Sequence, residues 1–236
     1  MNGEIWYAIP TANLPQAART LAAWRARGYR TAVLVDGGAD IVTARALGDL
    51  MIWTAQYEGW PRAANALART IFAQTAADIV VTGGDDVMPD GTHSAGDLGE
   101  QFRDRFGADG LGVMQPTGDR WMPDKTGVVA IERICGSPWI GRGLAARLNG
   151  GLGAFRPEYR HFFADEELKC VTERLGLLWQ RPDVTQIHEH WSRRLPGRAR
   201  RRRPDYLRPA QAHWAADRDL FHERQAAGFP GHELLG

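Results

Sequence analysis

Two adjacent carboxylates, Asp85 and Asp86, follow a short β-branched run at residues 79–82 (Ile-Val-Val-Thr) and a Gly83-Gly84 break. A run of that kind reads as a buried strand, and the glycines end it. In an open α/β sheet, ligands bind beyond the carboxyl ends of the strands, which is where both acids fall. A carboxylate pair there can hold a divalent cation, with phosphate oxygens and water completing the oxygen shell. The competing reading is a turn, since Gly, Asp and Pro are turn formers and the pair can simply cap a helix.

Two other strand ends carry polar groups. Residues 4–9 form an apolar, aromatic strand stopped by Pro10, and Thr11 follows it. Residues 31–35 form a second strand closed by Asp36-Gly37-Gly38. Alone, Asp36 is a turn aspartate. Beside Thr11 and the Asp85-Asp86 pair on one sheet edge, it points to a nucleotide cleft. Neither a Gly-x-x-x-x-Gly-Lys-Ser/Thr loop nor a Gly-x-Gly-x-x-Gly follows these strands, so phosphate-loop and dinucleotide chemistry are not indicated. Further along, Asp165 and Glu166 lie in an acidic first helical turn, a usual place for acids; the functional alternative for Asp165 is a general base at the rim of a cleft. His188 and His190, at i and i+2 of a strand, point the same way and could both reach a metal, although surface histidines are the more frequent explanation of a lone His-x-His.

The elements that position these groups follow from periodicity. Thr11 and Asn13 are ready N-caps for a helix whose apolar residues Leu14, Ala17, Ala18, Leu21 and Trp24 recur at helical spacing, and Gly28 ends it. Strand, helix and strand within the first 35 or so residues make a βαβ unit, hence a parallel sheet. Residues 51–55 read as a strand, and 44–50 are ambiguous. Gly59-Trp60-Pro61-Arg62 opens a helix that runs to about residue 75. A helix at 97–106, strands at 111–115 and 128–134, a turn-rich segment at 135–142 and a helix at 144–148 come next. An aromatic stretch at 155–163 leads into a helix from 164, then strands at 177–180 and 184–187. The fold class expected is α/β: an open, mostly parallel twisted sheet with helices on both faces and a C-terminal helical extension.

Composition bounds the rest. A chain of 236 residues, 44% apolar, fits one α/β domain with a buried core. Its net charge of +1 argues against a surface that coats nucleic acid throughout. Two cysteines cannot build a disulfide framework and fit a reducing compartment. The N-terminus lacks the basic and apolar regions of a signal peptide, and no apolar run reaches the roughly 20 residues of a transmembrane helix. A cytoplasmic location and no transmembrane segment are expected. Between residues 193 and 208 stand eight arginines and one acid, with prolines and a glycine interspersed, which reads as a mobile basic loop. A helix at about 210–227 follows. Three parts result: 1–192, 193–208 and 209–236.

In this order the pieces resemble the family 2 glycosyltransferases of GT-A (Rossmann-like) fold. The likeness runs from Ile5 to about Phe229 and rests on the spacing of Ile-Pro-Thr, Asp36, strand-Gly-Gly-Asp-Asp-Val-Met-Pro, Gly-Ser-Pro-Trp-Ile-Gly-Arg, Phe-Ala-Asp-Glu-Glu-Leu and His-Glu-His-Trp. The resemblance implies an inverting transfer, dependent on Mn²⁺ or Mg²⁺, from a nucleoside-diphosphate sugar to an acceptor hydroxyl. It places Thr11 and Asp36 at the nucleobase and Asp85 near the ribose or the metal, with Arg62 on the donor side. Asp86 matches the metal-binding aspartate of Asp-x-Asp, His188 or His190 a late metal ligand, and Asp165 the base that deprotonates the acceptor. Trp139, Arg142 and Glu166 would face the acceptor, and Trp121, Trp139, Phe155 and Tyr159 could stack on a sugar. One departure is plain: the first acid of Asp-x-Asp falls on Gly84.

Two rival readings remain. The arginine loop suits a phosphate clamp, so the chain can be a nucleic-acid-binding module, or a transferase that glycosylates a modified DNA base. Near-neutral charge and acidic strand ends weigh against the first. A sugar nucleotidyltransferase shares the carboxylate–metal–nucleotide logic but usually has a Gly-rich basic signature near its N-terminus, which Ile-Pro-Thr-Ala-Asn-Leu-Pro lacks. The acceptor itself (glycan, small molecule, protein or modified DNA base) stays open.

Overall fold

A computed structural model describes residues 3–121, 127, 129–193, 203, 205 and 207–232. Its centre is a seven-stranded sheet ordered β3-β2-β1-β4-β7-β6-β8. The strands are β1 (Glu4–Pro10), β2 (Arg30–Asp36), β3 (Leu50–Thr54), β4 (Ala77–Thr82), β6 (Val113–Pro116), β7 (Trp139–Gly141) and β8 (Leu178–Arg181). Neighbours pair in parallel except β7, which runs antiparallel to both β4 and β6. The fold is therefore α/β with a mostly parallel, mixed sheet, as the βαβ reading of the N-terminus expects.

Side chains on β1 alternate between two cores, as a sheet covered on both faces requires. Trp6 and Ala8 face one, where α3 (Trp60–Gln74) contributes Leu67 and Ile71. Ile5, Tyr7 and Ile9 face the other, filled by Leu21 and Trp24 of α1 (Leu14–Arg25) and Leu98 and Phe102 of α4 (Ala95–Phe106). Of the two expected caps it is Asn13 that caps α1, accepting from the Gln16 amide. A short helix, α2 (Ile41–Arg45), capped by Asp40, ends inside the ambiguous segment 44–50, whose residues 46–49 are turn and whose last residue opens β3.

Several expected elements differ. The strand expected at 128–134 is a 3-10 turn at Ala130–Glu132, because the Glu132 carboxylate folds back to accept from the Val129 amide at 3.1 Å; Val128 itself lies outside the described residues. The turn-rich segment 135–142 contains β7, and the following helix, α5 (Arg142–Ala145), starts earlier and is shorter than the one expected at 144–148. Of the strand expected at 184–187, only its last residue pairs: β9 (Ile187–His188) forms a separate two-stranded ribbon with β5 (Val87–Met88). The helix from residue 164 is α6 (Ala164–Arg174). The C-terminal helix is two, α7 (Leu207–Ala212) and α8 (Trp214–Ala226). Most of the arginine loop expected at 193–208 lies outside the described residues.

Phe221 of α8 enters the first core, and Arg224 reaches the Glu167 carboxylate of α6 with three hydrogen bonds of 2.7–3.1 Å. His232 Nε2 meets the same carboxylate at 2.6 Å and the Tyr159 hydroxyl donates to it at 2.7 Å. The C-terminal extension is thus built onto the sheet domain through a buried polar cluster. Among the described residues, no helix is long and apolar enough to cross a membrane.

Candidate functional site

A cleft of about 600 Å³ opens at the carboxyl edge of β1, β2 and β4. Thr11 and Asp36 enter it from the ends of β1 and β2, and residues 83–87 cross its floor after β4. Loop and floor are held from beneath. The Tyr7 hydroxyl donates to the Gly84 carbonyl at 2.7 Å, Trp24 Nε1 to the Val87 carbonyl at 2.8 Å and Trp60 Nε1 to the Gly83 carbonyl at 3.3 Å. Tyr7 and Trp24 stack at 3.8 Å. Burial, with the charges of Asp86 and Asp85 added, pushes the Tyr7 phenol well above its ordinary range, so it stays a donor.

The two aspartates separate in role. Asp85 is buried, its carboxylate accepting from the Thr11 hydroxyl at 2.5 Å and from Gln16 Nε2 at 2.9 Å, while Thr20 donates to its backbone carbonyl at 2.6 Å. These bonds fix Asp85 to α1 and aim Thr11. Asp86 turns the other way, towards the cleft, with Oδ1 3.3 Å from His188 Nε2. The β5–β9 ribbon makes that meeting: Val87 pairs with His188, and the Glu189 amide donates to the Asp86 carbonyl at 2.7 Å. A Cβ on Gly84 would stand 2.8 Å from Asp86 Oδ1, so a side chain there would displace the carboxylate. Glycine at 84 is what this orientation of Asp86 needs.

His190 sits beside His188, with ring centroids 5.3 Å apart, and both line the cleft as the i, i+2 reading expects. Burial, and then the neighbouring His188, push the His190 imidazole down. The strip is buttressed: Asp119 accepts from the His188 amide at 3.0 Å and from Arg193 at 2.6 Å, and Arg193 lies over Trp121. Trp121 itself is half-buried and contacts both histidine rings. Among the described residues, no three His, Cys, Asp or Glu side chains converge into a ready cation shell. The Asp86–His188 pair nevertheless fits two adjacent positions of such a shell. Ligands at right angles, each at about 2.1 Å from a cation, stand roughly 3 Å apart, close to the observed 3.3 Å. The remaining positions would fall to a ligand's phosphates and water.

The opposite wall comes from α6 and the loop before it. Asp165, in the first turn of α6, lines the cleft, and its backbone carbonyl accepts from the Cys135 amide at 3.0 Å. Burial pushes its carboxyl up, against the pull of the Asp165 and Glu166 backbone amides. Glu166 is raised too, by burial and then by the Asp165 charge. Residues 160–162 are pinned by Asp217 of α8, whose carboxylate accepts three successive amides at 2.9–3.0 Å. His161 is thereby held in the cleft wall, its imidazole lowered by burial and further by His213 although Asp217 opposes this, and so neutral at pH 7.

Some expected site residues fall elsewhere. Trp139 is fully buried in the second core, against Tyr29, so it cannot stack on a ligand; Phe155 and Tyr159 are buried as well. Arg142 spends its guanidinium on the carbonyls of Phe72, Thr75 and Ala77, at the far end of the sheet, closing off α3. Arg62 stands outside the cleft, donating to the Pro157 carbonyl at 2.8 Å and pairing with Glu58 at 3.3 Å. Asp36 lines the cleft and also accepts from the Gly38 amide at 3.4 Å, as a turn aspartate does. Sequence reasoning missed Gln16, Glu58, His161, Asp217 and Trp214. Only Gln16 had a local signal, one helical turn before Thr20 on the face that meets Asp85.

No protein-family model matches the chain, and no curated protein matches it either.

Proposed function

We propose that the protein is a glycosyltransferase of GT-A type, acting in the cytoplasm, that moves a sugar from a nucleoside-diphosphate donor to an acceptor hydroxyl with inversion. One observation carries the reading: a single cleft at the carboxyl edge of the sheet has the Asp86–His188 pair on one side and Asp165 on the other. The resemblance to family 2 glycosyltransferases and the two free cysteines agree with it.

Thr11 and Asp36 would line the nucleoside, with Asp85 holding Thr11 in place. Asp86 and His188, with His190 beside them, would hold Mn²⁺ or Mg²⁺; the cation, when bound, supplies positive charge to the departing diphosphate. In the transfer, the bond from the anomeric carbon to the phosphate oxygen breaks and its electron pair leaves with the nucleoside diphosphate. The acceptor oxygen bonds to that carbon from the opposite face, and its proton passes to the Asp165 carboxylate. A carboxyl raised by burial is a stronger base than an exposed one, which suits it to that proton. Arg203 lies over Trp191, which lines the cleft, and offers a guanidinium near the phosphate side.

The test is a thermal-shift panel of uridine, guanosine and thymidine diphosphate sugars with and without Mn²⁺. A ligand present at 100 times its Kd stabilises the folded state by about 2.7 kcal/mol. The expected result is a Mn²⁺-dependent rise with one nucleobase class, lost in Asp86→Asn. No rise with any sugar nucleotide, or release of pyrophosphate from a nucleoside triphosphate plus sugar phosphate, refutes the reading.

A further inference from the structure

A second, smaller hollow of about 360 Å³ adjoins the cleft and shares His161, Phe162 and Asp165 with it. Its remaining wall includes Phe163 and Glu166 of the α6 N-terminus and Trp214, the first residue of α8. Trp214 is 43% exposed, a large aromatic surface open to solvent beside the carboxylate assigned as base. Phe163 packs against that ring at 6.0 Å and fixes it.

We propose that this hollow is the acceptor subsite and that it takes a neutral pyranose, stacked on Trp214 with its hydroxyls donating to Glu166 and its reacting hydroxyl at Asp165. The inference rests on the transferase reading and names its substrate class. Three features select a neutral sugar. The hollow's polar side chains include two carboxylates, which accept hydrogen bonds from hydroxyls and repel phosphates. An acceptor in DNA is disfavoured on that ground. An amine would seek the same carboxylates, but the Arg218 guanidinium near the Trp214 ring, at 5.1 Å, places a positive charge there that opposes a second cation and not a neutral ring. What remains is an uncharged ring with an apolar C–H face and many hydroxyl donors. Arg133 is the cation whose charge opposes the rise at Glu166, and burial still dominates there, so Glu166 is poorly hydrated and gains from a hydroxyl partner.

The experiment is saturation-transfer NMR on the full chain, without donor. The probes are the methyl pyranosides of glucose, galactose, mannose and N-acetylglucosamine, with a thymidine dinucleotide as the anionic comparison. At least one pyranoside should receive saturation, and Trp214→Ala should cut its affinity at least fivefold, whereas Trp53→Ala, at a slightly more exposed tryptophan on the edge strand β3, keeps it. Should circular dichroism show Trp214→Ala unfolded, Glu166→Gln decides in its place and is expected to weaken the pyranoside at least threefold. No pyranoside contact, equal affinity in a folded Trp214→Ala, or preference for the dinucleotide overturns the inference. Sugar-nucleotide shifts without pyranoside contact would remove this inference alone; pyranoside contact without nucleotide shifts would remove the donor reading and leave a saccharide site.

Discussion

Replacing Glu167 by Gln probes how the C-terminal helix is held. Glu167 and Arg224 have side chains only 1% and 9% exposed, and His232 and Tyr159 share the same carboxylate. Burial alone would raise the Glu167 carboxyl, but hydrogen bonds from His232, Arg224 and Tyr159 outweigh it and hold the group at about 2, from an ordinary 4.5. At roughly 1.4 kcal/mol for each tenfold change in proton affinity, that difference corresponds to about 3 kcal/mol of stability. The sign follows from the depressed value. The stabilisation is complete above the unfolded value near 4.5 and disappears as pH falls towards about 2. Glu167→Gln keeps an acceptor and a similar shape but leaves the Arg224 charge buried without its counterion, a loss in the range of about 3–5 kcal/mol for a broken buried pair. For a chain of this size, about 3 kcal/mol lowers Tm by roughly 6–12 °C. Differential scanning calorimetry at pH 7 and at steps down to pH 3 reads both quantities. The wild-type Tm should fall steeply below pH 4.5 and the variant's much less. A variant that melts with wild type at pH 7, or that loses stability with acid just as steeply, refutes the reasoning.

Three further outcomes are expected. Asp165→Asn lowers turnover by about 10²–10⁴-fold with donor affinity by titration calorimetry changed only a few-fold; the wild-type acid limb of kcat/KM lies above the ordinary carboxyl value of 3.8, because burial raises Asp165. Trp139→Ala opens a cavity in the second core and costs about 3–5 kcal/mol in urea unfolding, where a residue that only contacted acceptor would cost almost nothing. Gly59→Ala forces a Cβ into the Arg160 carbonyl at a φ of 110°, and should cost about 1–3 kcal/mol while weakening any ligand that fills the cleft beside it.

The β1-α1-β2 unit and the Asp85-Asp86 loop were legible because each rests on local rules: a β-branched run, an Asn cap, a glycine stop. β7 was not. Trp139-Ile140-Gly141 is three residues between a proline and an arginine, and only its place between β4 and β6 makes it a strand. With the strand unrecognised, Trp139 looked available when it is core. Arg142 misled for the same reason, since its guanidinium answers carbonyls at the end of a helix remote in sequence. Residues 128–134 carry a strand-like pattern that one carboxylate overrides by capping a turn. The wall made by His161, Asp217 and Trp214 joins segments about 55 residues apart, with no periodicity to link them. Asp86 and His188 were each singled out, but their meeting depends on a two-residue ribbon too short to be read in advance.

That ribbon ties the first half of the chain to its last quarter. A ribosome releases the chain from its N-terminus at roughly 5–20 residues per second, so β1 through β4 and both of their helical covers emerge while Asp86 still has no imidazole beside it. The cleft edge where Asp86 meets His188 is therefore assembled only after β9 has emerged, late in the making of the chain.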